Sequence, residues 1–180
     1  MKILLIDNGT TLLNKLKLLI PGDEITHTYD DFDADTNNFD LVILSGGSKY
    51  QLIGNEDKFE KEISFIKNTK IPVIGICFGY ELIALAFGAS LKELPEGKKG
   101  LYEVRVLDES LGTGVIKVYE SHRWVVDQLP EVFKVLAISE DGPEMIKHKD
   151  LPIFGIQFHP ENFVEETDGN ELFLKLLSQF

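Results

Sequence analysis

The sequence predicts an α/β fold: a single domain with a doubly wound, mostly parallel sheet, flanking helices and a smaller antiparallel edge ribbon. In the first half of the chain, short apolar runs alternate with helical patterns, which is typical of strand–helix–strand units. In the second half, apolar and polar residues alternate as in half-buried strands. The 180 residues, 43% of them hydrophobic and 27% charged, fit one domain spanning 1–180.

Three continuous apolar runs predict the parallel strands. They are Ile3–Ile6, Leu41–Leu44 and Ile71–Ile76, and each is followed by a turn signal or by the glycine-flanked Cys77. Strands that are covered by helices on both faces have no polar side to alternate with, so their sequences are apolar throughout.

Four segments carry apolar residues at helical spacing: Thr11–Leu19, Asp57–Lys67, Gly79–Phe87 and Gly169–Phe180. In the second segment Phe59, Ile63 and Ile66 share one face, so we expect its charged residues to lie on the opposite side. The third segment is almost wholly apolar, which predicts a buried helix that stops at Gly88.

The second half of the chain predicts antiparallel pairing. Leu101–Leu107 and Val115–Tyr119 alternate apolar and polar residues around a Gly-Thr-Gly turn, which indicates a ribbon at the edge of the sheet. Three further strands are predicted, at Phe133–Ile138, Met145–Lys147 and Ile153–Gln157.

Composition excludes several classes of function. A net charge of −12 makes nucleic-acid binding a poor hypothesis, and no apolar run is long enough to span a membrane. The apolar run at the N-terminus is too short for a signal peptide, so we expect a cytoplasmic protein. With one cysteine and four scattered histidines, we expect no disulfide, no metal site and no cofactor.

The sharpest local signal is Gly75-Ile76-Cys77-Phe78-Gly79, where a predicted strand turns into an apolar helix. This pattern is that of a nucleophile elbow with cysteine as the nucleophile. The glycines leave room for the tight turn, and the N-terminus of the helix favours the thiolate. The backbone N–H of Phe78 would then face a developing oxyanion. Taken alone, the pentapeptide also fits a buried structural cysteine.

A candidate base follows the predicted strand Ile153–Gln157, in the segment Phe158-His159-Pro160-Glu161. In this interpretation His159 accepts the proton of Cys77, and Glu161 fixes the tautomer of the imidazole. A lone histidine is more often a surface or capping residue. The hypothesis therefore depends on pairing His159 with the cysteine on the elbow.

Two further segments follow predicted strands. The segment Ser45-Gly46-Gly47-Ser48 is suited either to aim backbone N–H groups at a ligand or to form an ordinary turn. In the loop expected at 121–124, His122 is an alternative base to His159, ranked lower because no carboxylate follows two residues on. We expect Trp124 to pack against the protein. The remaining histidines, His27 and His148, are expected to face solvent.

Together these segments resemble the class I, or triad-type, glutamine amidotransferases. The matching stretches are IDNG at 6–9, LSGG at 44–47, GICFGYELIALAFGA at 75–89, SH at 121–122 and GIQFHPE at 155–161. Their order and spacing span nearly the whole chain. Within this family they are most similar to the stand-alone amidotransferase subunits of archaeal-type GMP synthases.

The resemblance implies hydrolysis of the side-chain amide of glutamine through a γ-glutamyl thioester. The ammonia would pass to a separate ATP-dependent synthetase subunit. The implied roles are catalysis by Cys77, His159 and Glu161, oxyanion binding by the N–H groups of Gly47 and Phe78, and substrate binding by Gly46, Glu81, Ser121 and His122.

Three positions depart from the family pattern. Glu81 stands where the family usually has Gln. Ser48 and Trp124 stand where the GMP synthase subunits usually have Pro and Asp. A carboxylate at position 81 would oppose formation of the Cys77 thiolate, so we expect Glu81→Gln to improve glutamine turnover. The departure also keeps two alternatives open: a free-standing γ-glutamyl hydrolase or related enzyme with another substrate, and a weakly catalytic binding module on the same fold.

Overall fold

The computed structural model describes residues 1–32, 36, 38–47, 49–162, 164 and 166–180, so Ser48 lies outside the described residues. The strands of the described residues are β1 Lys2–Asp7, β2 Asp23–Thr28, β3 Leu41–Leu44, β4 Val73–Ile76, β5 Ser90–Val106, β6 Gly114–Gln128, β7 Phe133–Ile138, β8 Pro143–His148 and β9 Ile153–Ile156. The α-helices are α1 Leu13–Leu19, α2 Glu60–Asn68, α3 Phe78–Ala86 and α4 Gly169–Leu177. A 3-10 turn, Glu56–Phe59, precedes α2.

These strands form one sheet in the order β2-β1-β3-β4-β9-β8-β7-β5-β6. The first five are parallel to one another, and the last four pair antiparallel with their neighbours. The predicted fold class, a mostly parallel sheet with flanking helices and an antiparallel ribbon, is confirmed.

Helices cover both faces of the parallel strands, as the apolar runs predict. Side chains of α1 and α4 pack on one face, and side chains of α2 and α3 pack on the other. Along β1, Ile3 and Leu5 belong to the first core, and Leu4 and Ile6 belong to the second. Burial of both strand faces explains why these sequences contain no polar alternation.

Three strands differ from the prediction. β2 pairs with β1 at the sheet edge, but its sequence DEITHT has one aliphatic residue and no apolar run to signal it. β5 and β6 are much longer than Leu101–Leu107 and Val115–Tyr119, because charged residues interrupt the alternation where pairing continues. The segment 121–124 therefore lies within β6, and the loop predicted there is wrong.

The prediction that His148 faces solvent is also wrong. Its side chain is buried and packs against the rings of Phe87 and Phe133. Its Nδ1 accepts hydrogen bonds from the backbone N–H groups of Asp150 and Leu151, both at 3.1 Å. His148 thus closes the turn between β8 and β9, which is a structural role.

No helix in the described part of the chain is both long and apolar enough to cross a membrane.

Candidate active site

The candidate site lies at the carboxyl ends of three neighbouring parallel strands. Gly46, Cys77 and His159 follow β3, β4 and β9, and these strands are adjacent in the sheet. Parallel strands end at the same edge, so residues more than 30 positions apart in the sequence come together there.

The elbow at Cys77 depends on its two flanking glycines. Cys77 has a φ of 50°, which is rare and costly for a residue with a side chain. A Cβ on Gly75 would lie 2.4 Å from the carbonyl of Gly79, and one on Gly79 would lie 2.5 Å from the carbonyl oxygen of Leu44. Both positions exclude any larger residue, so the strand and helix pack closely enough to hold the cysteine in this conformation.

The Cys77 thiol is buried and lies against β6 and His159. Its backbone N–H donates to the carbonyl of Ile156 at 2.7 Å, and its Sγ is 3.9 Å from the carbonyl oxygen of Ser121. Burial raises the pKa of the thiol, whereas the hydrogen bond and charge of His159 lower it. In this buried site the thiolate therefore depends on a protonated His159 beside it.

His159 is held on both sides. Its backbone N–H donates to the carbonyl of Tyr119 at 2.8 Å, and its Nδ1 donates to Oε1 of the fully buried Glu161 at 2.8 Å. Burial lowers the pKa of His159, but Cys77 and Glu161 outweigh it and raise the pKa well above its usual value. With Nδ1 engaged, Nε2 is the nitrogen that remains to exchange a proton with Cys77.

The glycine loop after β3 lies beside this pair. A Cβ on Gly46 would come within 3.1 Å of Cε1 of His159 and 3.8 Å of Cβ of Cys77. A Cβ on Gly47 would lie 2.9 Å from the carbonyl oxygen of Asn8 and 3.0 Å from Cγ of Phe78. The structure thus brings Gly46, Gly47 and Phe78 to the cysteine and histidine predicted from sequence.

A cavity of about 550 Å³ opens at Cys77. Among the predicted binding residues, Glu81, Ser121 and His122 line it, whereas Gly46 lies against His159 instead. Among the described residues, no group of three or more His, Cys, Asp or Glu could hold a metal ion.

Sequence reasoning missed a set of residues around this cavity, most of them cationic or aromatic, and it expected Trp124 to pack. The lining includes Lys49, Tyr50, Gln51, Lys98, Lys99, Arg123 and Trp124. Two of them are placed by the register of the ribbon, which pairs Lys98 with His122 and Lys99 with Ser121. No local motif marks these residues, so only the tertiary structure reveals them.

Glu81 occupies the first turn of α3, facing the cavity, and is 5% exposed. Burial raises the pKa of its carboxyl to about 8, although the nearby polar side chain of Gln157 and the charge of His159 lower it. At pH 7 the group is therefore mainly a neutral acid. The expected repulsion between a Glu81 carboxylate and the Cys77 thiolate applies only at higher pH.

The hydrogen bonds of His122 argue against its being the base. Its Nδ1 is 3.1 Å from the carbonyl oxygen of Trp124, and its Nε2 is 3.1 Å from Oε2 of the fully buried Glu120. Because both ring nitrogens already face acceptors, neither is free to take a proton from Cys77. Glu120 also pairs with Lys98 at 3.2 Å, which ties His122 into a buried charged cluster.

The chain belongs to the class I glutamine amidotransferases. Residues 4–179 match the family profile described as glutamine amidotransferase class-I. The glutamine-hydrolysing GMP synthase subunit of Pyrococcus abyssi is 36% identical, and the match covers 96% of this chain and 95% of that protein. The corresponding protein of Methanosphaera stadtmanae is 41% identical over 73% of this chain and 70% of its own length.

Solved structures agree with this assignment. A crystal structure of a proposed GMP synthase subunit from Thermoplasma acidophilum matches with a TM-score of 0.87 and 29% identity, covering 99% of this chain and 92% of that one. A glutamine amidotransferase from Thermotoga maritima matches with a TM-score of 0.82 at 18% identity, covering 99% and 97% of the two chains, which supports the fold.

Proposed function

We propose that this chain is the glutaminase subunit of a GMP synthase, hydrolysing glutamine and delivering the ammonia to a separate synthetase subunit. The observation that carries the proposal is the buried contact between the Cys77 thiol and the His159 imidazole, with Glu161 on Nδ1, beside an open cavity. This is the arrangement of a nucleophile, a base and an orienting carboxylate.

The reaction begins when Nε2 of His159 takes the proton of Cys77 and the thiolate attacks the amide carbon. The N–H groups of Gly47 and Phe78 bind the oxyanion of the tetrahedral intermediate. His159 then protonates the departing ammonia, which leaves a γ-glutamyl thioester on Cys77. Water, activated by the same imidazole, hydrolyses the thioester and releases glutamate.

The proposed substrate contacts follow from the lining of the cavity. Glutamine carries an α-carboxylate, for which the cations of Lys99 and Arg123 are suited partners. A neutral Glu81 can both donate and accept a hydrogen bond, as the usual glutamine does. Ser121 and His122 complete the wall, and Gly46 would contribute through its backbone.

The protonation state of Glu81 also decides between glutamine hydrolysis and the alternative function, a γ-glutamyl hydrolase. That alternative requires a carboxylate which attracts a cationic substrate. Burial holds the pKa of Glu81 at about 8, so the charge is largely absent at neutral pH. Glutamine is therefore the favoured substrate.

The names of the relatives support the synthetase subunit of GMP synthase as the partner. This choice of partner can be tested directly. The chain is mixed with the ATP-dependent subunit of GMP synthase from the same organism. GMP formation is then measured with glutamine or with ammonium as nitrogen source. We expect GMP from either source, and glutamate release stimulated several-fold by that subunit.

The control is Cys77→Ala, which should support GMP formation from ammonium only. Stimulation by a different synthetase would overturn the partner assignment. Absence of glutamate release with any partner would overturn the glutaminase function.

A further inference from the structure

A second, smaller cavity of about 240 Å³ lies beside the cavity that opens at Cys77. Among the described residues, Cys77 lines the larger cavity but not the smaller, whereas His159 lines the smaller but not the larger. Gly47, Lys99 and Ser121 line both, so the two cavities meet beside the thiol and the imidazole. The two side chains of the proposed catalytic pair therefore open to different spaces.

The inference rests on the proposed function, in which the N–H of Gly47 binds the oxyanion. The reacting carbonyl then lies where the two cavities meet, and the glutamyl chain fills the larger one. His159 protonates the departing ammonia and later takes a proton from water, so both molecules have to reach the imidazole. With the larger cavity filled by the substrate, the smaller cavity is the space that remains next to His159.

The size and lining of the smaller cavity suit water and ammonia better than an amino acid. A water molecule takes up roughly 30 Å³ in the liquid, so the cavity has room for several. Sites for small organic ligands usually begin at about 300 Å³. The lining includes Thr10, Thr11 and Asn162, whose side chains are polar, and polar walls favour water over an empty space.

Hydrogen bonds hold two opposite parts of this lining in place. Oγ1 of Thr10 accepts from the backbone N–H of Leu12 at 3.1 Å. The backbone N–H of Asn162 donates to the carbonyl oxygen of His159 at 3.2 Å, and its Oδ1 accepts from Nζ of Lys15 at 2.7 Å. Because both walls are fixed, a larger side chain on either of them should narrow the space between them.

We propose that the smaller cavity is the passage by which ammonia leaves the site and water reaches the γ-glutamyl thioester. Water entering from this side forms a C–O bond to the thioester carbon and gives one proton to Nε2 of His159. The C–S bond breaks, and the imidazole returns that proton to the sulfur of Cys77. Glutamate leaves through the larger cavity, so the amino acid and the small molecules use separate routes.

The test narrows each cavity in turn, in the full chain with its synthetase. Thr11→Trp narrows the smaller cavity and Gln51→Trp the larger one. Both residues are exposed, so the variants should fold, which circular dichroism checks. Thr11→Trp should lower kcat for glutamate release about 10-fold, because passage of water and ammonia then limits the rate. Gln51→Trp should instead raise KM for glutamine.

Hydroxylamine measures access to the thioester independently of how fast the thioester forms. It is larger than water and competes with it for the same carbon, giving γ-glutamyl hydroxamate as the C–N bond forms and the C–S bond breaks. Thr11→Trp should lower the ratio of hydroxamate to glutamate several-fold, because a narrowed passage excludes the larger nucleophile more. Gln51→Trp should leave this ratio unchanged. Thr113→Trp, at an exposed threonine between β5 and β6, should change neither kcat nor the ratio.

Asn162→Trp narrows the passage from its other wall and should lower kcat and the product ratio as Thr11→Trp does. A normal kcat in either variant would overturn the inference. So would a fall in kcat with an unchanged product ratio, which is the result of general damage to the site. Absence of hydroxamate from the unmodified chain would also contradict the passage. If the unmodified chain releases no glutamate with its synthetase, the proposed function itself fails, whereas normal release with unaffected variants overturns the passage alone.

Discussion

The parallel and antiparallel halves of the sheet are built differently. β3, β4 and β9 have four residues each, buried along their whole length. β5 and β6 have 17 and 15 residues, alternate between buried and exposed positions, and carry buried polar side chains. The proposed nucleophile, the proposed base and the glycine loop follow the short strands, and much of the cavity wall comes from the long ones.

The antiparallel half also holds a cluster of charges next to the cavity. Lys98 pairs with Glu120 and Asp141, and Glu120 contacts His122. Burial, together with the charge of Glu120, raises the pKa of Glu144 to about 8, so one acid of the cluster stays neutral at pH 7. We therefore expect the short apolar strands to position the proposed reacting groups and the ribbon to supply the charges that act on substrate binding. Substitutions in the parallel half of the sheet should lower kcat, and those in the antiparallel half should raise KM.

The largest effect is expected from Cys77→Ala in the parallel half. Without the sulfur no thioester forms, so glutamate release should fall by more than about 1,000-fold. Glutamate is measured with saturating glutamine, and circular dichroism checks the fold. Residual activity within tenfold of the unmodified chain would mean that another group is the nucleophile.

Glu161→Gln should be the next most damaging change. Its amide keeps the size of the side chain but loses the negative charge that stabilises the protonated imidazole, so kcat should fall about 100-fold. The pKa of His159, raised in part by Glu161, should drop, as measured by NMR titration. An unchanged titration would contradict the role given to this carboxylate.

Glu120→Gln tests the antiparallel half. It removes the charge that pairs with Lys98 and His122, so we expect KM for glutamine to rise about 10-fold with kcat changed less. Steady-state kinetics provides the measurement, and Lys92→Ala, which breaks an exposed pair with Asp127 on the same ribbon, is the matched control. A loss in kcat alone would show that the two halves do not divide the work in this way.

Glu81→Gln should have the smallest effect at pH 7, within about twofold, because Glu81 is already mainly neutral. Above pH 8 the carboxyl ionises and opposes the thiolate, so the variant should exceed the unmodified chain increasingly from pH 8 to 9. The measurement is the pH profile of kcat/KM. A constant ratio across this range would show that Glu81 does not ionise in the site.

Glu81→Gln should also change how the free energy of unfolding depends on pH. The folded state keeps the Glu81 proton up to about pH 8, whereas the unfolded state releases it near the usual value of 4.5. This contribution to stability is complete below pH 4.5 and is lost as the pH rises to about 8. Urea unfolding at several pH values measures the free energy of unfolding. Between pH 4.5 and about 8 this free energy should fall less in Glu81→Gln than in the unmodified chain.

Local sequence was sufficient wherever one segment carried its own signal. The apolar runs predicted the parallel strands of the sheet. The glycines around Cys77 and the order of the motifs predicted that the thiol and the imidazole lie at one edge of it. It failed at β2, at the full length of β5 and β6, and at His148, because pairing and burial there depend on distant residues. The sequence analysis places the charged residues of 57–67 on the side of the helix opposite its apolar face, but Glu62 on α2 is fully buried, so that expectation is wrong for Glu62. The reason is the same, because a charged side chain gives no local sign that the fold will bury it.

The sequence by itself determined the layered fold, the elbow and the residues proposed to react, because each rests on steric rules within a few residues. Only the tertiary structure decided which side chains surround them and which acids are neutral. Burial and strand register set those properties, and both come from contacts between segments far apart in the chain.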